Sequence, residues 1–349
     1  MRYTLPDLSR LSDVPFDTVI DVRAPAEFAE DHIPGAINLP VLSDAERARV
    51  GTIYTLESPF KARKLGAALV SRNAATHLET TLADKPGSWQ PLVYCWRGGQ
   101  RSGSFASILE QIGWRVQVLE GGYQTYRRAV VAALYDTALA HRLILLDGDT
   151  GTAKTDLLHL CAQRGVQMID LEGLANHRGS VLGPRPGGQP SQKAFETALM
   201  GKLAACDPAR PILVEAESSK VGNLLVPPSF WAAMLAAPRI TVAATLGDRA
   251  TYLAQAYADL SADPDRLEQK LAGLVNHVGH DKIAQWSTMI ADKAFRDLAR
   301  DLIEHHYDAR YAKSRQEAAF GAARIDIALD PQGLQSAAER ITQAVCDLS

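Results

Sequence analysis

Cys95 is followed by WRGGQRS, which puts a thiol at the mouth of a short loop carrying two glycines and two arginines. A glycine-bearing loop can turn successive backbone N–H groups toward an anion. If SFASILEQIG opens a helix directly behind it, the helix dipole and the guanidinium groups of Arg97 and Arg101 favour the thiolate, which is the nucleophilic form. Many cysteines at strand ends only pack. The cationic, glycine-rich context marks this one as catalytic, with Arg97 and Arg101 as its partners.

A second constellation begins at RLILLDG and continues as DTGTAKTDLLHLC, a strand, a tight turn and a helix start. It approximates G-x-x-x-x-G-K-[ST], the phosphate loop, with Gly148, Lys154 and Thr155 in register and Thr150 and Gly151 inside the loop. Backbone N–H groups and the helix N-terminus would hold phosphate oxygens, Lys154 would add a point charge, and Thr155 could hold Mg²⁺. Ala153 stands where the second glycine belongs and adds a methyl near the ligand. Phosphate binding follows from the pattern; ATP hydrolysis does not. Downstream, PILVEAES supplies Glu215 near a strand end and Glu217 beyond it, as Walker-B-like acids or as salt-bridge partners.

Both constellations need parallel sheets to position them. The runs TVIDV, VYC and VQVL in the first part, then RLILLDG, QMIDLEG, PILVEAE and RITVAATL, are short β-rich strands separated by helix-like segments. That alternation predicts two α/β domains with covered sheets. The length of 349 residues also suits two domains. The boundary is expected near residue 135, inside a connecting helix over 121–142, giving a domain 1–135 around Cys95 and a domain 136–349 around the phosphate loop. Beyond residue 250 the periodicity turns helical and predicts a cap or tail. The stretch HRGSVLGPRPGGQPSQ, 177–192, is a long, arginine-bearing loop expected to bind something.

The composition is 46% hydrophobic and 22% charged, that of a globular chain, and the net charge of −3 offers no general attraction to polyanions. Any nucleic-acid contact must therefore be local. The first residues mix charge and proline where an export signal needs an apolar core, and no run approaches the roughly 18 apolar residues of a membrane span. A cytoplasmic protein is expected. Four scattered cysteines show no paired spacing for zinc or disulfides.

DVRAPAEFAEDHIPGAINLP, CWRGGQRS and VLEGGYQTYR together resemble the rhodanese family across the first third of the chain. The resemblance implies a persulfide or perselenide on Cys95, with Asp21, Arg23 and Glu27 in support. The loop from Cys95 to Arg101 is one position longer than in that family's ordinary sulfurtransferases, which leaves room for selenophosphate or a similar anion and equally suits a phosphatase. Taken with TGTAKT, DLEGLANHRGS, QPSQKAFE, VEAESSKVGN and HHYDARY, the chain resembles the tRNA 2-selenouridine synthase family over nearly its full length. That resemblance implies replacement of sulfur by selenium in wobble 2-thiouridine of tRNA, with selenophosphate as donor. It also implies an S-geranyl intermediate made from geranyl diphosphate, and no tightly bound cofactor. His177, Arg178, Arg185 and Lys193, with Lys220, are then the expected tRNA contacts, since RNA phosphates are met mostly by arginine and lysine.

Trp96 could stack on a base, line a prenyl pocket or simply pack. His305 and His306 are adjacent on a helix-like stretch that also holds Tyr307 and Tyr311, and adjacent residues point apart, so a metal site there is not expected. The competing readings are a stand-alone sulfurtransferase or phosphatase with a regulatory phosphate loop, a nucleotide-dependent kinase or switch, and an RNA-binding adaptor.

Overall fold

The computed structural model describes residues 1–5, 15–180, 182–308 and 321–348. Strands β1 (Arg2–Tyr3), β2 (Thr18–Asp21), β3 (Ile37–Asn38), β4 (Pro91–Tyr94) and β5 (Gln117–Leu119) form one sheet in the order β1-β5-β4-β2-β3. Its pairings are all parallel. The central strand β4 is buried at every residue, which is why PLVY reads as a continuous apolar run rather than an alternation. Ile20, Val93, Phe105, Leu109 and Trp114 are among the residues packed in its core.

Five further strands build the second sheet: β6 (Leu143–Gly148), β7 (Gln167–Ile169), β8 (Ile212–Glu215), β11 (Arg239–Ala243) and β12 (Gly321–Asp326), in the order β12-β11-β6-β8-β7. These pairings are parallel as well. A two-residue antiparallel ribbon, β9 (Lys220–Val221) with β10 (Leu224–Leu225), stands apart from it. Helices from Leu246 to Leu302 enclose their own apolar cluster around Leu253, Leu271, Trp286 and Ile290. The expected helical tail is thus interrupted: GAARID forms the sheet edge β12, too polar a run to announce itself, and the helix Pro331–Asp347 follows. No helix among the described residues is long and apolar enough to cross a membrane.

The chain divides into two compact units, Met1–Thr137 with Pro190–Ala205, and Ala138–Gln189 with Cys206–Ser349. The first break, after Thr137, comes just past the helix Tyr123–Val131 and the π-helical turn Ala132–Asp136. Residues 190–205 depart from the expected scheme. They lie in the phosphate-loop half of the sequence, yet pack with the first unit. Their helix Gln192–Ala204 starts on Ser191, whose side chain accepts the Ala194 N–H, and buries Phe195, Leu199 and Leu203.

Glu196, 1% exposed, anchors this insertion. It accepts from Arg127, from the Tyr135 hydroxyl at 2.6 Å and from Gln192 at 2.8 Å. Beside it, Thr197 Oγ1 donates to Asp31 at 2.9 Å. No local sequence signal marks such a contact, because both acceptors are met by residues more than sixty positions away. Glu196→Ala leaves the Arg127 guanidinium buried without its counter-charge, which costs about 3 kcal/mol or more; urea unfolding followed by tryptophan fluorescence should show that loss, with the midpoint lowered and the slope unchanged.

Candidate functional site

Cys95 sits directly after β4, 4% exposed, with the helix Gln100–Ile112 starting from Gly99. The Gly99 N–H donates to Sγ at 3.3 Å, and Ser102 Oγ lies 3.1 Å away. The single Ser102 hydroxyl proton points either to the Gly99 carbonyl at 3.2 Å or to the sulfur. A protonated thiol can therefore donate to Ser102, and a thiolate can accept from both Ser102 and Gly99. Both groups lie at the sulfur of the cysteine that the sequence marks as a candidate nucleophile.

The GGY segment that follows β5 clamps the loop. Tyr123 N–H donates to the Cys95 carbonyl at 2.9 Å and Gln124 N–H to the Trp96 carbonyl at 3.0 Å. Such an approach requires glycine: Gly98 and Gly122 have φ of +63° and +61°, and a Cβ on Gly122 would collide with the Cys95 carbonyl oxygen. Trp96 packs against Tyr123, ring centroids 5.4 Å apart.

Arg97 is exposed, whereas Arg101 is drawn to Glu27, with contacts of 2.7 and 3.4 Å. Burial opposes the Glu27 charge, but Arg101, the Ala24 N–H and Arg47 outweigh it and hold the carboxyl below its ordinary range. Arg101 thus reaches the thiol loop already half neutralised. Asp21 and Arg23 take the support role implied for them. Their buried ion pair closes at 2.6 Å, Arg23 also donates to the Asp31 carbonyl at 2.7 Å, and its guanidinium lies 3.9 Å from the Tyr123 ring centroid. Burial works against the Arg23 charge, yet the Asp21 hydrogen bonds and charge more than compensate, so its pKa is raised.

In the second unit the phosphate loop joins β6 to the helix Lys154–Gln163. Gly148 has no room for a side chain, since a Cβ there would lie 2.7 Å from both Thr152 Oγ1 and the Val242 carbonyl. Gly151 has φ +85°, and Ala153 holds φ +55° as the helix N-cap. Ala153 therefore keeps the left-handed turn that glycine would make, at a cost of about 1 kcal/mol. Lys154 Nζ donates to the Gly148 carbonyl at 2.8 Å and lies 3.4 Å from that of Asp149.

A cavity of about 500 Å³ opens over this loop, lined by Thr150, Gly151, Lys154 and Thr155 on one side and by Glu172, Arg178 and Arg185 on another. Arg178 is held by Asp259 at 2.8 Å and lies 4.9 Å from the Tyr257 ring centroid; Arg185 has no ion pair among the described residues. The expected RNA contacts belong to both units. Arg178 and Arg185 face the phosphate cavity, Lys193 belongs to the other unit and pairs with Glu30 at 2.7 Å, and Lys220 stands exposed on β9.

His177 is 6% exposed, and its Nδ1 accepts the Gly179 N–H at 3.1 Å. Burial and then the nearby Lys270, Arg185 and Arg178 charges lower its pKa. His305 lies 3.3 Å from Asp301 while His306 is buried, so the two do diverge; Tyr311 lies outside the described residues.

Three carboxyls converge behind Lys154. Glu215 is 1% exposed; its Oε1 accepts the Glu172 N–H at 2.8 Å and its Oε2 has no partner. Burial, then the charge of Asp170, pushes its pKa well up. Burial and the neighbouring Glu172 charge raise Glu217 too, against the pull of Lys154, and burial raises Glu172 itself. Glu172, which lines the cavity, was quoted in the DLEG motif without a role. Thr155 and Glu172 are the groups on this wall able to hold a Mg²⁺, a cation that takes few protein ligands and completes its shell with water and phosphate.

Arg249 had no signal in the sequence at all. Buried on the helix Leu246–Ala256, it donates to the Thr150 carbonyl at 2.9 Å and grips Asp308 at 2.7 and 3.1 Å. It fixes the phosphate loop from a position 99 residues distant.

Comparison with known proteins agrees with both units. Residues 4–129 match the rhodanese-like domain family, and residues 141–323 match the family described as tRNA 2-selenouridine synthase AAA domain. A tRNA 2-selenouridine synthase from Hahella chejuensis is 34% identical, the match covering 86% of each chain. One from Pseudomonas putida is 30% identical over 92% of each. Among solved structures, the N-terminal domain of a putative ATP/GTP binding protein from Clostridium difficile 630 is 36% identical, covering 38% of this chain and 99% of that one, with a TM-score of 0.32.

Ala153→Gly should stabilise the protein by about 0.5–1 kcal/mol, the left-handed strain relieved less the added freedom of the unfolded chain; a lowered urea midpoint would contradict the strained N-cap. Glu215 gives a pH signature. Because the folded chain keeps a proton that the unfolded chain releases above about 4.5, the stability due to this site falls as pH rises beyond that value. Glu215→Gln keeps the acceptor for Glu172 and cannot ionise, so its stability relative to wild type should grow between pH 5 and 8; equal pH slopes for the two proteins would show that Glu215 is ionised when folded.

Proposed function

Since the chain belongs to the tRNA 2-selenouridine synthase family, we propose that it replaces the sulfur of wobble 2-thiouridine in tRNA by selenium, using selenophosphate, through an S-geranyl intermediate made from geranyl diphosphate. What carries the reading is the presence in one chain of two separate anion cradles: a buried thiol with N–H and hydroxyl donors, and a phosphate loop faced by Lys154, Arg178 and Arg185.

Each cradle suits one half of the chemistry. In the first step the thiocarbonyl sulfur forms a bond to C1 of the geranyl group while the C1–O bond breaks and diphosphate leaves. Charge grows on the departing oxygen, where fixed N–H dipoles and cations stabilise it. Lys154, Arg178, Arg185 and the loop amides supply those groups, and Mg²⁺ bound through Thr155 and Glu172 would add to the same neutralisation.

In the second step a selenium nucleophile attacks C2 of the uracil ring and the geranyl thiolate leaves. Cys95 serves it by seating selenophosphate in its loop with Arg97 and Arg101, so that selenium attacks C2 as the nucleophile and water then breaks its bond to phosphorus, releasing phosphate. Arg178 and Arg185 also border the cavity on a loop, where they can meet the tRNA backbone. As tRNA is the substrate, the cytoplasm is the expected setting.

The test incubates purified protein with tRNA bearing 2-thiouridine, geranyl diphosphate and Mg²⁺, with or without selenophosphate, and identifies the nucleosides by mass spectrometry. Wild type should make S-geranyl-2-thiouridine without selenophosphate and 2-selenouridine with it. Lys154→Ala should lower the first product by about 100-fold, a loss typical for one transition-state donor; Cys95→Ala should lose the second alone. Neither product from wild type, together with turnover of thiosulfate or a phosphate ester, would put the sulfurtransferase or phosphatase reading in its place.

A further inference from the structure

The phosphate-loop cavity has two unlike kinds of lining. Besides the amides and cations, a wall of it is made by Tyr252, Leu253, Gln255, Ala256 and Tyr257, at the end of the helix that also carries Arg249. The polar ends of both tyrosines are already engaged, Tyr252 with Asp156 at 2.7 Å and Tyr257 with Ser180 at 2.8 Å. Arg178 lies over the Tyr257 ring. With those hydroxyls engaged, Leu253, Ala256 and the tyrosine rings supply apolar surface to the cavity.

Behind it lies a second, smaller cavity, lined by Leu182, Leu260, Phe295, Leu298 and Leu302 among others. Leu253 and Tyr257 line both cavities and so form the partition between them. A cavity lined both by cations and by apolar side chains, with a void of only about 30 Å³ beyond the partition, fits an amphiphile of limited length better than a nucleotide. A purine needs hydrogen-bonding groups for its edge and an open aromatic face, and here Gln255 is the one amide on the wall while Arg178 covers a tyrosine ring.

We infer that Tyr252, Leu253, Ala256 and Tyr257 hold the apolar group of a diphosphate ester whose diphosphate rests on the phosphate loop, and that Leu253 sets how long that group can be. The inference rests on the geranyl diphosphate reading for the identity of the ester, and on the cavity for its placement. Geranyl diphosphate then gains affinity over inorganic diphosphate by burying its chain on this wall, and the aliphatic partition makes chain length the basis of selection.

Calorimetry on the full-length protein with Mg²⁺ separates the two. Geranyl diphosphate should bind wild type at least about tenfold more tightly than inorganic diphosphate, an advantage worth about 1.4 kcal/mol. Ala256→Trp, a filling change at an exposed position, should erase that advantage while leaving inorganic diphosphate within about twofold. Leu253→Ala, which opens the partition, should raise the affinity for farnesyl relative to geranyl diphosphate by about tenfold, the scale of a few buried methylenes. Equal binding of geranyl and inorganic diphosphate by wild type, an advantage that survives Ala256→Trp, or displacement of geranyl diphosphate by equimolar ATP would each overturn the inference. Normal chain-dependent binding without any prenylated tRNA would overturn the proposed function and leave this site standing.

Discussion

Both cradles depend on one constraint: backbone amides can converge on an anion only where no side chain stands between neighbouring segments of chain. In the first unit Gly98 and Gly122 meet that requirement by letting the loop after β4 and the turn after β5 touch through the Cys95 and Trp96 carbonyls. In the second, Gly148 lets β6 lie against Val242, and Ala153 accepts a left-handed conformation to keep the turn. Each loop lies at the carboxyl end of an interior strand of a parallel sheet, where helix N-termini also point.

Rigidity comes from charges buried behind these loops rather than from the loops themselves. Arg23 is locked between Asp21, the Asp31 carbonyl and the Tyr123 ring. Arg249 plays the equivalent part for the phosphate loop, joining Thr150 to Asp308. Such pairs are costly to desolvate and add little net stability, but losing one partner leaves a buried charge exposed to no solvent. Their effect is to leave each loop a single conformation, which preorganised electrostatic stabilisation demands.

The strands and both loops were legible because their signals are local: β-branched runs, glycines at fixed offsets, a lysine before a threonine. What escaped was set by distant contacts. Arg249 and Tyr252 sit in an unremarkable amphipathic helix, and nothing near them in sequence mentions Thr150 or Asp156. The burial of His177 could not be read from its loop either, where the ring accepts a hydrogen bond from the Gly179 N–H. β12 is polar enough to pass for tail, and its place beside β11 depends on main-chain pairing. Helix Gln192–Ala204 has ordinary helical periodicity; only Glu196, Thr197 and their partners reveal the unit to which it belongs.

That insertion bears on the order in which the protein comes into being on the ribosome. The first unit closes only when Pro190–Ala205 arrives, although the rest of it ends at Thr137. The 68 residues from Ala138 to Ala205 take about 3–14 s to synthesise at ordinary bacterial and eukaryotic speeds. During that interval Asp31 and Arg127 lack the side chains that cover them, and the nascent rhodanese-like half waits, incomplete, for a helix encoded within the other half. The first unit is thus finished after the second has begun and before Cys206–Ser349 has been made, so the two halves emerge interleaved.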